Sequence, residues 1–203
     1  MNLNRLKQAE ADFLQMFPEG FEDESLVSVR KRHNLSRMNR FAMEAFAEDN
    51  FFIPDHFLEG LVKVISRSSM ISMFEKPRFR DLISSLNSSD RERLTSLYQE
   101  LFHGNQGKAF EDIVEMLAPY KMAKWSLITI GLAYFRPDEE VFVKPTTTKK
   151  IIAELDLDLV YRPKPTWEFY KKYRATVLEM KKRVHSSIAP NNAALTGFLM
   201  ITL

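Results

Sequence analysis

The sequence predicts an all-α protein, a multi-helix globular bundle around one buried central helix at about 121–135. Three observations carry this. Apolar residues recur at i, i+3 and i+4 in one window after another. The segment from Lys121 to Phe135 is apolar almost all round, as a helix without a solvent face must be. At most one short stretch, Val141-Phe142-Val143 ahead of Pro145, reads as extended.

The elements follow in order. Leu6, Ala9, Phe13, Met16 and Phe17 form a stripe that stops at Pro18-Glu19-Gly20. Phe57, Leu58, Leu61, Val62 and Ile65 form the next, with Asp55 after Pro54 as its expected N-cap. Phe79, Leu82, Ile83 and Leu86 follow, and Ser89-Asp90-Arg91-Glu92 reads as a capping box. That box opens a helix with Leu94, Leu97, Tyr98 and Leu101 that ends at Gly104. Phe110, Ile113, Val114 and Leu117 make another. Beyond the central helix, Thr147 or Thr148 is placed to cap a helix burying Ile151, Ile152 and Leu155, and Thr166 one burying Trp167, Tyr170, Tyr173, Val177 and Met180. The uncharged tail, Ala193 to Leu203, is expected to tuck into the core, as a helix capped by Asn191 or Asn192 or as a strand.

A chain of 203 residues suits one domain, 1–203. Gly104-Asn105-Gln106-Gly107 is its weakest joint, and would divide it into lobes 1–104 and 108–203. A hydrophobic fraction of 45% with 16 Phe supplies a core. The lack of cysteine excludes disulfides, thiolate metal sites and thiol nucleophiles. The amino terminus is amphipathic and charged, unlike a secretory signal. The longest uncharged apolar runs, about 11 residues each, fall short of the roughly 20 that span a bilayer. The expectation is a cytoplasmic protein without membrane association.

Net charge is only +2 but uneven. Between Lys144 and His185 stand 11 Lys/Arg against 5 Asp/Glu, while the chain before Lys144 is net acidic. Such asymmetry marks either a polyanion-binding face or two solvated surfaces. Metal binding is not expected: the four histidines are widely spaced and form no HxH or HxxxH pair. Six glycines form neither a GxGxxG nor a P-loop, so no cofactor is expected.

Four features could carry function. Arg30-Lys31-Arg32-His33 continues through Arg37 and Arg40; on one helix, Arg30, His33, Arg37 and Arg40 would fall within an arc of about 80°. Such a stripe can track phosphates, or be an ordinary solvated face. A second basic helix, Lys171 to Arg183, is interrupted by acids. The third feature is Lys144-Pro145-Thr146-Thr147-Thr148-Lys149-Lys150: a helix start with free amides, three hydroxyls and lysines, suited to an anion or simply capped by threonine. Fourth, Lys121 and Lys124 begin the apolar helix, where burial would depress a lysine pKa and make the amine nucleophilic.

Several stretches, FLQMFPEGFEDESL (13–26), KWSLITIGLAYFRPDEEVFVKPTTTK (124–149), LVYRPKPTWEFY (159–170) and APNNAALTGFLMITL (189–203), resemble an uncharacterised bacterial protein family. The resemblance implies a full-length domain of unknown function and carries over no catalytic residue. The tail departs from the family pattern, with Asn191 and Asn192 where charge is expected. About 60 residues also resemble helix-hairpin-helix DNA glycosylases. Met122-Ala123-Lys124-Trp125 would begin the buried helix, and Lys124 falls near the Schiff-base lysine of bifunctional members. Ala118-Pro119-Tyr120-Lys121 replaces the glycine-rich hairpin, and Lys144 or Pro145 stands where the catalytic aspartate belongs. That likeness implies a DNA-binding helical fold without base-excision chemistry.

The leading expectation is therefore a non-catalytic, nucleic-acid-binding protein using Arg30, Arg37, Arg40, Lys144, Thr146, Thr147, Thr148, Lys149 and Lys150. A protein-interaction or scaffold module, with a protein partner, is the main competitor. A lysine-dependent glycosylase/lyase-like enzyme using Lys124, with Asp138 or Glu140, is the third reading.

Overall fold

A computed structural model covers residues 1–203 and folds the chain into eleven α-helices and five short 3-10 turns, with no strand. Helix α1 (Leu3–Met16) buries Leu6, Ala9 and Phe13, the expected stripe, and is capped by Asn2. Helices α2 (Val27–His33) and α3 (Leu35–Ala45) follow, then α4 (Pro54–Arg67) and α5 (Glu75–Ser85). Helices α6 (Ser88–His103) and α7 (Gln106–Leu117) pair along their length as a hairpin across Gly104. The rest of the chain forms α8 (Trp125–Phe135), α9 (Pro145–Glu154), α10 (Trp167–Arg183) and α11 (Asn192–Thr202). The tail is thus a helix, with Asn191 accepting from Ala194 N–H at its start.

Central α8 is buried at nine of its 11 positions and packs against α3, α4 and α7. It begins at Trp125, not Lys121. The preceding helix closes through a 3-10 turn at Ala118–Tyr120, and Lys121 adopts a left-handed conformation (φ 58) that no helix can continue through. At its far end Asn39 donates to the Tyr134 carbonyl at 2.7 Å, so α3 caps α8 from the side.

Other local expectations shift by a residue or two. Asp55 lies in the first turn of α4 instead of capping it; Pro54 takes the first helical position, and the Asp55 carboxylate meets Arg91 at 2.6 Å. The capping box forms two residues early: Asn87 accepts from Asp90 N–H and donates to its carboxylate, both at 2.9 Å, leaving Ser89 inside the helix. Thr147 and Thr148 do not cap α9, because Lys144 is its N-cap and Pro145 its first residue.

Val141, Phe142 and Val143 are extended and buried, without a strand partner. Their backbone is satisfied by hydroxyls instead: Val143 N–H donates to Thr129 Oγ1 at 3.0 Å and Val141 N–H to the Tyr170 hydroxyl at 3.3 Å. One cluster of 51 buried apolar residues runs from Leu6 to Leu199, so both sides of the Gly104–Gly107 joint share it. Helix α11 lies against α1, α9 and α10, which brings the end of the chain onto its beginning and next to the start of α9. No helix is long and apolar enough to cross a membrane.

Candidate anion-binding cleft

The arginine row does not lie on one helix. Asn34 takes a left-handed conformation (φ 41, ψ 53), ends α2 as its C-cap and starts α3 as its N-cap, accepting from Arg37 N–H at 3.3 Å. The 80° arc is therefore not formed, since the bend sends α2 and α3 in different directions. Arg30 turns back on the preceding turns, donating to the carbonyls of Phe21 and Asp23, with the Glu22 carboxylate 3.6 Å away. Arg37 and Arg40 are exposed on α3.

The second basic group is divided by helical periodicity. Lys144 has no side-chain capping bond to α9, and the first backbone bond of that helix is Thr148 N–H to the Lys144 carbonyl at 2.8 Å. The amides of Thr146 and Thr147 come before it and are unpaired. Thr146 is exposed, Thr147 half-buried and Thr148 buried beside Tyr173, whose hydroxyl burial pushes up to about 12. Lys149 lies over the ring of Tyr161, 5.2 Å from its centre, and Lys150 is exposed.

What remains converges. A half-open cleft of about 580 Å³ is walled by the α2–α3 turn, the start of α9 and the α11 helix. Arg30, Lys31, His33, Lys144 and Thr147 line it. Lys31 and Lys144, distant in the chain, take part in none of the ion pairs that occupy other lysines, among them Lys7, Lys63, Lys108, Lys124, Lys172 and Lys181. First-turn residues of α3, α9 and α11 all reach this wall, so three positive dipole ends lie around it. The side-chain oxygens of Asn34 and Asn191 are fixed by capping, which leaves their amide NH2 groups as free donors. Phe21, Met70, Phe142, Met200 and Ile201 supply the apolar part of the lining. His33 Nδ1 lies 2.8 Å from Ser69 Oγ, and its pKa is held below the ordinary 6.5 first by burial, then by Arg32 and Lys144.

Lys124 and Asp138 are not brought together. Lys124 precedes α8 and meets Glu75 at 2.9 Å, so its ammonium is compensated by a carboxylate instead of facing an apolar pocket. Asp138 follows the same helix, about 16 Å further along its axis, and pairs with Lys181 at 2.5 Å. Glu140 is buried at 3% exposure and held by Arg174, Gln106 and Tyr170. On α10, Lys172 and Arg183 pair with Glu168 and Glu179 four residues away, and Arg174 and Lys181 with Glu140 and Asp138 outside the helix, so four of the six cations of that basic run are in ion pairs.

Of the candidates read from the sequence, Arg30, Lys144 and Thr147 line this cleft and Arg37, Arg40, Thr146, Thr148, Lys149 and Lys150 do not. Lys31 and His33 were named within the basic run, while Asn34, Asn191 and the apolar lining were not singled out for a site. Asn34 carried a signal: an asparagine immediately after a basic run tolerates the left-handed turn that ends one helix and starts another. The contribution of α11 had none, because it depends on packing across the whole chain. Comparisons with protein-family models, curated proteins and solved structures return no match.

Proposed function

We propose that this chain is a non-catalytic nucleic-acid-binding protein of the bacterial cytoplasm, and that the cleft between α2–α3, α9 and α11 is where it holds phosphates. One observation supports the reading above others: two unpaired lysines, Lys31 and Lys144, meet at one cleft beside the uncapped start of α9. Unpaired cations and free helix-start amides are what a phosphodiester needs, since both stabilise negative charge without a counter-proton. Lys149 and Lys150 sit outside this cleft and contribute only to the general field.

The test is fluorescence anisotropy with a labelled oligonucleotide at about 50 mM salt. Replacing both Lys31 and Lys144 by alanine weakens binding about tenfold, whereas Lys149→Ala/Lys150→Ala changes it by less than about twofold. Equal losses in the two pairs, or no binding by the parent protein, would end this reading. A protein-interaction module is the second reading, favoured by Met73 and Phe74, which are 74% and 73% exposed next to each other. A protein partner whose binding is lost in Met73→Ser/Phe74→Ser while oligonucleotide binding is absent would establish it.

A further inference from the structure

We infer that the cleft takes one unstacked nucleotide of a single strand, with its phosphates at Lys31 and Lys144 and its base against the apolar lining; this rests on the nucleic-acid reading above and narrows it. The balance of donors and acceptors points there. Lys31, Lys144, the Asn34 and Asn191 amides and the Thr147 hydroxyl can all donate into the cleft. The only lining carboxylate is Glu22, which lies 3.6 Å from Arg30. Lys31, Asn34 and Lys144 are exposed to solvent and Thr147 and Asn191 half-buried, so an occupant that covers them must offer acceptors in place of water. A long-chain acid brings two acceptor oxygens to one end and leaves the remaining donors unanswered. A nucleotide brings phosphate oxygens, sugar oxygens and the carbonyls and ring nitrogens of a base.

The apolar lining of the cleft fits the same occupant. Phe21 is half-buried, with its ring 5.2 Å from Phe13, and lines the cleft together with the cations, Arg30 donating to its backbone carbonyl. Met200 and Ile201 are 48% and 41% exposed at its edge, in an otherwise well-buried α11. An aromatic face flanked by thioether and aliphatic groups is a surface on which any base can stack. The volume, about 580 Å³, lies within the roughly 300–1,000 Å³ of small-ligand sites. A duplex keeps its bases stacked inside and can offer the rim only its backbone, so the cavity stays empty. A single strand can place a base within it.

The experiment compares a single strand of about 12 nucleotides, the duplex of the same length and adenosine monophosphate, against the parent protein and Ala193→Phe. Ala193 is half-buried on the cleft wall, so a phenylalanine there fills the cavity while the Lys31 and Lys144 side chains remain. Circular dichroism and melting temperature confirm that the variant folds. The expected result is about tenfold tighter binding of the single strand than of the duplex, with that preference abolished in Ala193→Phe and residual duplex binding retained. Equal or tighter duplex binding, unaffected by Ala193→Phe, overturns the single-nucleotide inference and leaves nucleic-acid binding standing. No binding of either form overturns both. Adenosine monophosphate binding as tightly as the strand, and lost in Ala193→Phe, supports the nucleotide cleft but overturns the nucleic-acid reading in favour of a free nucleotide.

Discussion

Glu140 and His33 show how individual side chains are set by their surroundings. The Glu140 carboxylate accepts from Arg174 at 2.8 Å, from Gln106 at 2.7 Å and from the Tyr170 hydroxyl at 2.7 Å, while Asn192 donates to its backbone carbonyl at 2.9 Å. Helices α7 and α10 are thereby tied to one buried charge, and α11 to its backbone. Burial, then Glu140, pushes the Tyr170 pKa well up, so its hydroxyl stays a donor. Removing only one partner strands the other charge: Arg174→Met should lower unfolding free energy by about 3 kcal/mol, and Glu140→Gln added to it should recover part of that loss in urea titrations. His33 responds to pH instead. Its folded-state pKa is lowered, so below about pH 6.5 the unfolded chain takes up a proton first and stability falls as pH drops. A phosphodiester beside it reverses the preference, so strand affinity should rise between about pH 7.5 and about pH 5.5. An oligonucleotide without terminal phosphates isolates the effect, which should be absent in His33→Gln.

At the scale of elements, the helices with long apolar stripes were legible because burial imposes the 3.6-residue period on the sequence. The joins were less so. No glycine or proline interrupts Val27 to Ala45, and the pattern reads through Asn34 as if one helix were present. The structure bends there because asparagine serves both as a left-handed cap and as an N-cap. Asn34→Ala loses the capping oxygen and strains the turn, and should destabilise the protein by about 1–2 kcal/mol; Asn34→Gly should cost less, since glycine accepts the conformation. Chemical denaturation of both variants checks the order. At α6, three consecutive polar residues, Asn87, Ser88 and Ser89, could each cap, and the reciprocal bonds between Asn87 and Asp90 decide among them. For α9 the sequence offered both an entry at Pro145 and a cap at Thr147 or Thr148, and the structure takes the first; its lysines were read as one cluster, whereas Lys149 goes to Tyr161 and only Lys144 reaches the cleft.

For the whole molecule, the shared apolar cluster leads to one expectation about unfolding. Transitions followed by far-UV circular dichroism and by the fluorescence of Trp125 and Trp167 should coincide, and two separated transitions would mean that the segments on either side of Gly104–Gly107 fold apart. The cleft belongs to this scale too. Its cations lie on α2 and before α9, its amides at the starts of α3 and α11, and it exists only because α11 packs across α1, α9 and α10. No local pattern encodes such a meeting, which is why a charge count alone pointed to Lys144–His185, where ion pairs have since absorbed most of α10. The most direct test of the cleft is the salt dependence of single-strand binding, in the parent protein and in Lys31→Ala/Lys144→Ala. If two phosphates are neutralised there, the slope of log affinity against log salt is shallower by about 1.4 in the double variant. Parallel lines for the two proteins would show that the phosphates are held somewhere else.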